Sequence, residues 1–169
     1  MTAYRYTLLR QTGLLEGRGY GLFVMLNPST ADRWADDPTI RRCLGFASRE
    51  GWAGFKVVNL YAARATDPAG LVGLADPVGP ENYKVLVDHI RGAGEMPVVA
   101  AWGATEPKVN HHVREVFRRL VAQFTMDTPR WWCLGVTTTG APRHPLYVRK
   151  DQPLVRWNPN PWTGWKETA

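Results

Sequence analysis

After residue 20 the chain alternates between apolar runs and segments with helical periodicity. The runs are YGLFVML (20–26), GFKVVNLY (54–61), MPVVAAW (96–102) and RWWCLGV (130–136). Each is apolar almost throughout, as a strand covered on both faces must be. YRYTLLR (4–10) alternates instead, the pattern of an edge strand with one face in water.

Three helical segments lie between the core strands. Asp37 is placed as an N-cap with Pro38 at the first helical position, Ile40, Cys43, Leu44 and Ala47 recur behind it, and Gly51 is a stop signal. A second helix starts near Pro80, with Tyr83, Leu86, Val87 and Ile90 on one face. A third follows Thr105 and Pro107, turning Val109, Val113, Val116, Leu120 and Phe124 inward and Arg114, Arg118 and Arg119 largely outward. Strand and helix in alternation predict βαβ units. The expected product is one α/β domain over residues 1–169, a three-layer α/β/α sandwich with a central, mainly parallel sheet of four or five strands. A Trp- and Pro-rich tail begins at about residue 151.

Charge adds a direction to this picture. The 21 Lys and Arg outnumber the 15 Asp and Glu, giving +6, which favours an anionic partner such as a nucleotide or nucleic acid. Only two cysteines occur, Cys43 and Cys133, each in an apolar context that suits a buried free thiol in a reducing cytoplasm. No apolar segment has the length of a signal sequence or a bilayer span, so no membrane partner is expected. Eight tryptophans are many for this length, and Trp157, Trp162 and Trp165 crowd the last thirteen residues.

In a parallel sheet the ligand crevice lies beyond the carboxyl ends of the strands. Asn27 closes the first core strand, Asn59 the second and Trp102-Gly103 the third, while TTTGAPRHPLY (137–147) follows the fourth. All four segments are expected at one edge. In NPSTAD, Asn27 either makes an Asx turn before Pro28 or offers its amide to a water or a substrate carbonyl. Ser29 and Thr30 either satisfy the loop or receive an anion. Arg41 and Arg42 are solvated or reach a phosphate. Asn59 has a donor and an acceptor and can read the edge of a planar heterocycle, or it bonds to loop backbone. His144, held by Pro145, is a structural loop residue or a site imidazole.

Several chemistries lack their signatures. Ser29, Asp32 and His144 could compose a triad, but NPS is no nucleophile elbow and neither cysteine lies in a polar loop. No glycine loop of the Walker or dinucleotide type appears. His111 and His112 are adjacent and show no ligand spacing, so neither metal nor cofactor is expected. Asp32 or Asp37 could serve an acid/base enzyme acting on an unrelated metabolite. The Trp-rich tail could stack bases or pack on the protein surface.

FVMLNPSTADRWADDPTIRRC, VVNLYAARATDP, AAWG and CLGVTTTGAPRHPLY together resemble the bacterial and phage family called domain of unknown function 1643, over roughly residues 5–150. LNPS, VVN, AAWGA and HPL, in that order, also show a more distant resemblance to the ordered motifs of the uracil-DNA glycosylases and their relatives. That resemblance implies a glycosylase-like fold in which Asn27 holds the attacking water, Asn59 reads the base and His144 stabilises the departing base anion. The expected function is a nucleobase-recognising N-glycosidic hydrolase acting on nucleic acid or a modified nucleotide. The competing expectation is a non-catalytic nucleotide or nucleic-acid binding module.

Overall fold

The computed structural model describes residues 2–29, 35–105 and 107–164. Six strands, β1 (Thr7–Gln11), β2 (Tyr20–Met25), β3 (Gly54–Asn59), β4 (Val98–Ala100), β5 (Trp131–Cys133) and β6 (Val155–Arg156), form one mixed sheet in the order β1-β3-β2-β4-β5-β6. The four central strands are mutually parallel, whereas β1 runs antiparallel to β3 and β6 antiparallel to β5. The expectation of four or five strands is therefore corrected to six, with an antiparallel strand at each edge. The additional strand is β6, two exposed residues that carry no apolar run to announce them.

Helices supply the connections that parallel neighbours require. α1 (Pro38–Arg49) joins β2 to β3, α2 (Asn82–Gly92) joins β3 to β4, and α3 (Pro107–Val121) joins β4 to β5; a short α4 (Asn160–Thr163) follows β6. α1 starts where its sequence dictates. The Asp37 side chain accepts from the Ile40 amide at 2.8 Å and Pro38 takes the first turn, where no N–H is needed.

Successive residues of β2 point to opposite faces of the sheet. Leu22, Val24 and Leu26 enter a cluster with Leu86 and Ile90 of α2 and Val113, Phe117 and Leu120 of α3. Phe23 and Met25 enter the other cluster, with Ile40, Cys43, Phe46 and Ala47 of α1. Apolar side chains on both faces of one strand thus bury against helices on both sides, so truncating the fully buried Phe23 to Ala would cost roughly 3–5 kcal/mol.

The carboxyl-terminal segment belongs to this core. Trp157 and Trp162 are 7% and 2% exposed, with ring centroids 5.3 and 5.4 Å from that of Trp102. Their burial leaves them unavailable for stacking on bases. Trp165 lies outside the described residues.

Candidate functional site at the carboxyl ends of the parallel strands

A cavity of about 820 Å³ opens beyond the ends of β2, β3 and β4 and against the loop after β5. Its size is that of a small-ligand pocket. Asn27, Ser29, Asn59, Trp102, Gly103 and His144 all line it, so residues separated by up to 117 positions meet because four parallel strands end on the same side.

Asn27 follows β2, and its amide nitrogen donates to the carbonyls of Pro28 at 3.1 Å and Ala65 at 2.7 Å. These bonds fix the carboxamide and leave Oδ1 as its remaining acceptor. The Ser29 hydroxyl donates to Oδ2 of Asp37, whose other carboxylate oxygen caps α1. This wall is thus tied together by its own side chains. Thr30 and Asp32 lie outside the described residues.

Asn59 contrasts with Asn27. It ends β3, is 3% exposed and lines the cavity, yet its carboxamide has no hydrogen-bond partner among the described residues. The carboxamide opens onto the cavity, where both of its polar groups stay available. Its main chain is firmly held, because Nδ2 of the fully buried Asn82 on α2 donates to the carbonyls of Asn59 at 2.9 Å and Leu60 at 3.0 Å. Asn82 is a positioning residue with no signal in the sequence beyond its place in the first turn of a helix.

His144 opens a short 3-10 turn, Pro145–Tyr147, and its Nδ1 accepts from the Leu146 amide at 3.3 Å. That bond places the ring proton on Nε2, which makes Nε2 a donor. Burial lowers the imidazole pKa to about 4, outweighing the upward pull of the Asp37 charge, so the ring is neutral at pH 7. Room for it is made by Gly103. A β-carbon there would stand 3.0 Å from that of His144, and φ is +83°, a conformation that only glycine adopts without strain.

Two expected anion contacts point elsewhere. Arg42 donates through Nε to the Pro145 carbonyl at 3.1 Å and through a terminal nitrogen to the Val148 carbonyl, with its guanidinium over the Phe46 ring. Arg41 is exposed and bonds to the Asp36 carbonyl at 2.7 Å. Neither lines the cavity. Pro28 and Pro145 are buried and likewise shape the loops from behind: each offers its carbonyl to a neighbouring side chain.

Other residues that the sequence did not single out for this site also line the cavity, among them Asp67, Thr105, Thr138, Arg143 and Tyr147. Asp67 caps a 3-10 turn through a bond from the Ala69 amide at 2.9 Å. The Thr105 hydroxyl is buried without a partner among the described residues. The two cysteines take no part in the cavity wall; burial raises the pKa of both thiols and makes them poor nucleophiles. Among the described residues no group of three or more His, Cys, Asp or Glu is placed to hold a metal ion, and no helix is long and apolar enough to cross a membrane.

The cavity therefore combines a fixed acceptor at Asn27, an open carboxamide at Asn59 and a neutral N–H donor at His144. These features define an α/β protein with an open crevice at the carboxyl edge of its parallel strands. The chain belongs to the family described as protein of unknown function (DUF1643), which matches residues 5–146. No curated protein and no solved structure matches it.

Proposed function

We propose that the cavity receives a nucleobase, and that the protein hydrolyses the N-glycosidic bond of that base in nucleic acid or a modified nucleotide. The fold proposed with it is a three-layer α/β/α sandwich of uracil-DNA glycosylase type. The observation that carries the reading is Asn59, a buried carboxamide with an unused donor and acceptor side by side on the cavity wall. A planar heterocycle offering the complementary pair would satisfy both groups at once, and a partner lacking either would leave one buried and unmet.

The chemistry follows from the groups around it. The bond from the sugar carbon to the base nitrogen breaks with both electrons passing to the base. His144 donates through Nε2 to the base oxygen on which that charge gathers, and its neutrality makes it a donor that keeps its proton. Asn27 accepts through Oδ1 from a water whose oxygen then bonds to the sugar carbon. That water loses a proton to solvent and the released base anion takes one up. Asn27 orients and cannot deprotonate, so the route draws on positioning and on stabilising the leaving base.

A second reading, a binding module without turnover, is favoured by one observation. Both oxygens of Asp37, the carboxylate beside His144, already accept from Ser29 and Ile40, which weakens it as a general base. The deciding experiment incubates the purified protein with oligonucleotides of varied base and with a nucleotide panel, reading released base by mass. Release is expected from the wild type. His144→Ala should lower turnover by about a hundredfold or more, the range for one preorganised donor to a developing oxyanion, with little change in affinity. His144→Gln should recover part of the rate. Binding without release from any substrate would establish the module instead.

A further inference from the structure

We infer that the turn spanning Thr137–Arg143 is the phosphate subsite of this cavity, so that the ligand is a phosphate-bearing nucleotide unit and not a free base or nucleoside. The inference rests on the nucleobase reading above and gives the ligand a direction within the crevice.

The turn is closed before any ligand arrives. Val136 and Pro142 form an antiparallel bridge, the Thr137 amide donates to the Ala141 carbonyl at 2.8 Å, the Gly140 amide to the Thr137 carbonyl at 3.0 Å, and the Arg143 amide to the Gly135 carbonyl at 2.9 Å. Gly140 takes φ +79°, which a side chain would oppose. The Thr137 hydroxyl is used within the turn, bonded to the Thr139 hydroxyl at 3.0 Å and accepting from the Ala141 amide at 3.2 Å. The Thr138 hydroxyl, on the cavity wall, has no partner among the described residues.

Arg143 supplies the charge. It lines the cavity and is exposed, and among the described residues it has no carboxylate partner. Its Nε donates to the Val136 carbonyl at 2.9 Å, which holds the guanidinium plane and leaves both terminal nitrogens to present a planar fork, the geometry that suits two phosphate oxygens. The carboxylates on the cavity wall, Asp37 and Asp67, act as caps to their own turns. With Arg41 and Arg42 bonded to carbonyls outside the cavity, the anion-binding role expected of them falls to Arg143. Arg143, His144 and Asn59 line the same cavity, so a phosphate on the Arg143 fork leaves the base in the space shared with the imidazole and Asn59.

Calorimetry on the full chain tests this with nucleosides, their 5′-monophosphates and short single-stranded oligonucleotides as probes, for wild type, Arg143→Ala, Arg143→Lys and Asn59→Ala. For wild type the monophosphates should bind roughly tenfold or more tighter than the nucleosides, as a charged hydrogen bond implies. Arg143→Ala should erase that advantage and Arg143→Lys restore part of it. On oligonucleotides, Arg143→Ala should reduce the slope of log affinity against log salt by about one. A strand, as opposed to a mononucleotide, is marked by a wild-type slope well above that single contact. Equal wild-type affinities for nucleosides and monophosphates, or an advantage that survives Arg143→Ala, would overturn the subsite while leaving the base pocket standing. An advantage that follows Arg143 while Asn59→Ala changes nothing would keep the subsite and remove the base pocket. No binding by any probe would remove both.

Discussion

Asn27 and Asn59 are the same residue type on neighbouring strands: Asn59 ends β3, Asn27 lies two residues beyond the end of β2, and each lines the same cavity. Their surroundings differ. Around Asn27 the polar groups are consumed internally, with its amide on two carbonyls, Ser29 on Asp37 and Asp37 on the first turn of α1. Around Asn59 they are left open, with its carboxamide making no hydrogen bond and the Thr105 hydroxyl lacking a partner among the described residues, and His144 lines the same cavity. The first wall holds its shape without help, while the second leaves polar groups open to the cavity.

Substitutions should separate the two walls, and the largest effect on stability among them is expected where α1 clamps the loop of His144. Arg42→Ala removes two charge-assisted bonds that hold the loop of His144 against α1 and should lower unfolding free energy by about 2–3 kcal/mol, measured by urea denaturation. An unchanged midpoint would show that the loop stands without this clamp. Asn27→Ala deletes two bonds to carbonyls, costs about 1–2 kcal/mol and should abolish base release. Retention of full activity would take Asn27 out of the chemistry. Asn59→Leu, of similar volume, should leave stability within about 1 kcal/mol of wild type, because the carboxamide makes no hydrogen bond among the described residues that the change would remove. Ligand affinity should nevertheless fall at least tenfold. A clear loss of stability would mean that Asn59 is part of the scaffold after all.

The last test is the response to pH. His144 has a folded-state pKa of about 4 against an ordinary value of about 6.5, so between these values the unfolded chain binds the proton more readily. Stability from this group is complete above about pH 6.5, is lost as the pH falls toward about 4, and changes no further below that. Thermal melts across this window should show a shallower decline in His144→Gln than in wild type. Parallel curves would place the titration elsewhere.

How much of this the sequence disclosed follows the physics of each element. β2 and β3 were readable because a strand covered on both faces is apolar at every position, and α1 because Asp37-Pro38 is a local signal that needs no distant partner. β6 was not, since Val155 and Arg156 form a strand only through their pairing with Cys133 and Trp132. The residues of the cavity could be placed by address, at the ends of parallel strands. Their states could not. Whether Asn27 is tied depends on the carbonyl of Ala65, 38 residues away, and whether Arg42 faces a ligand or a loop depends on carbonyls more than 100 residues along the chain. Arg143 carries no signal in the sequence for the converse reason: nothing local distinguishes a guanidinium on a cavity wall from one in water.

Trp102 lines the cavity, and its ring lies 5.0 to 5.4 Å from those of Phe117, Trp157 and Trp162, with Trp131 joined through Phe117 at 5.1 Å. At such spacings electronic excitation passes readily from indole to indole. The light absorbed by the buried cluster therefore samples Trp102 before it is emitted, and a planar ligand arriving against that ring dims the emission of its neighbours too. The protein's own fluorescence becomes a label-free gauge of cavity occupancy, sensitive to a single contact and amplified by three further tryptophans that touch no ligand.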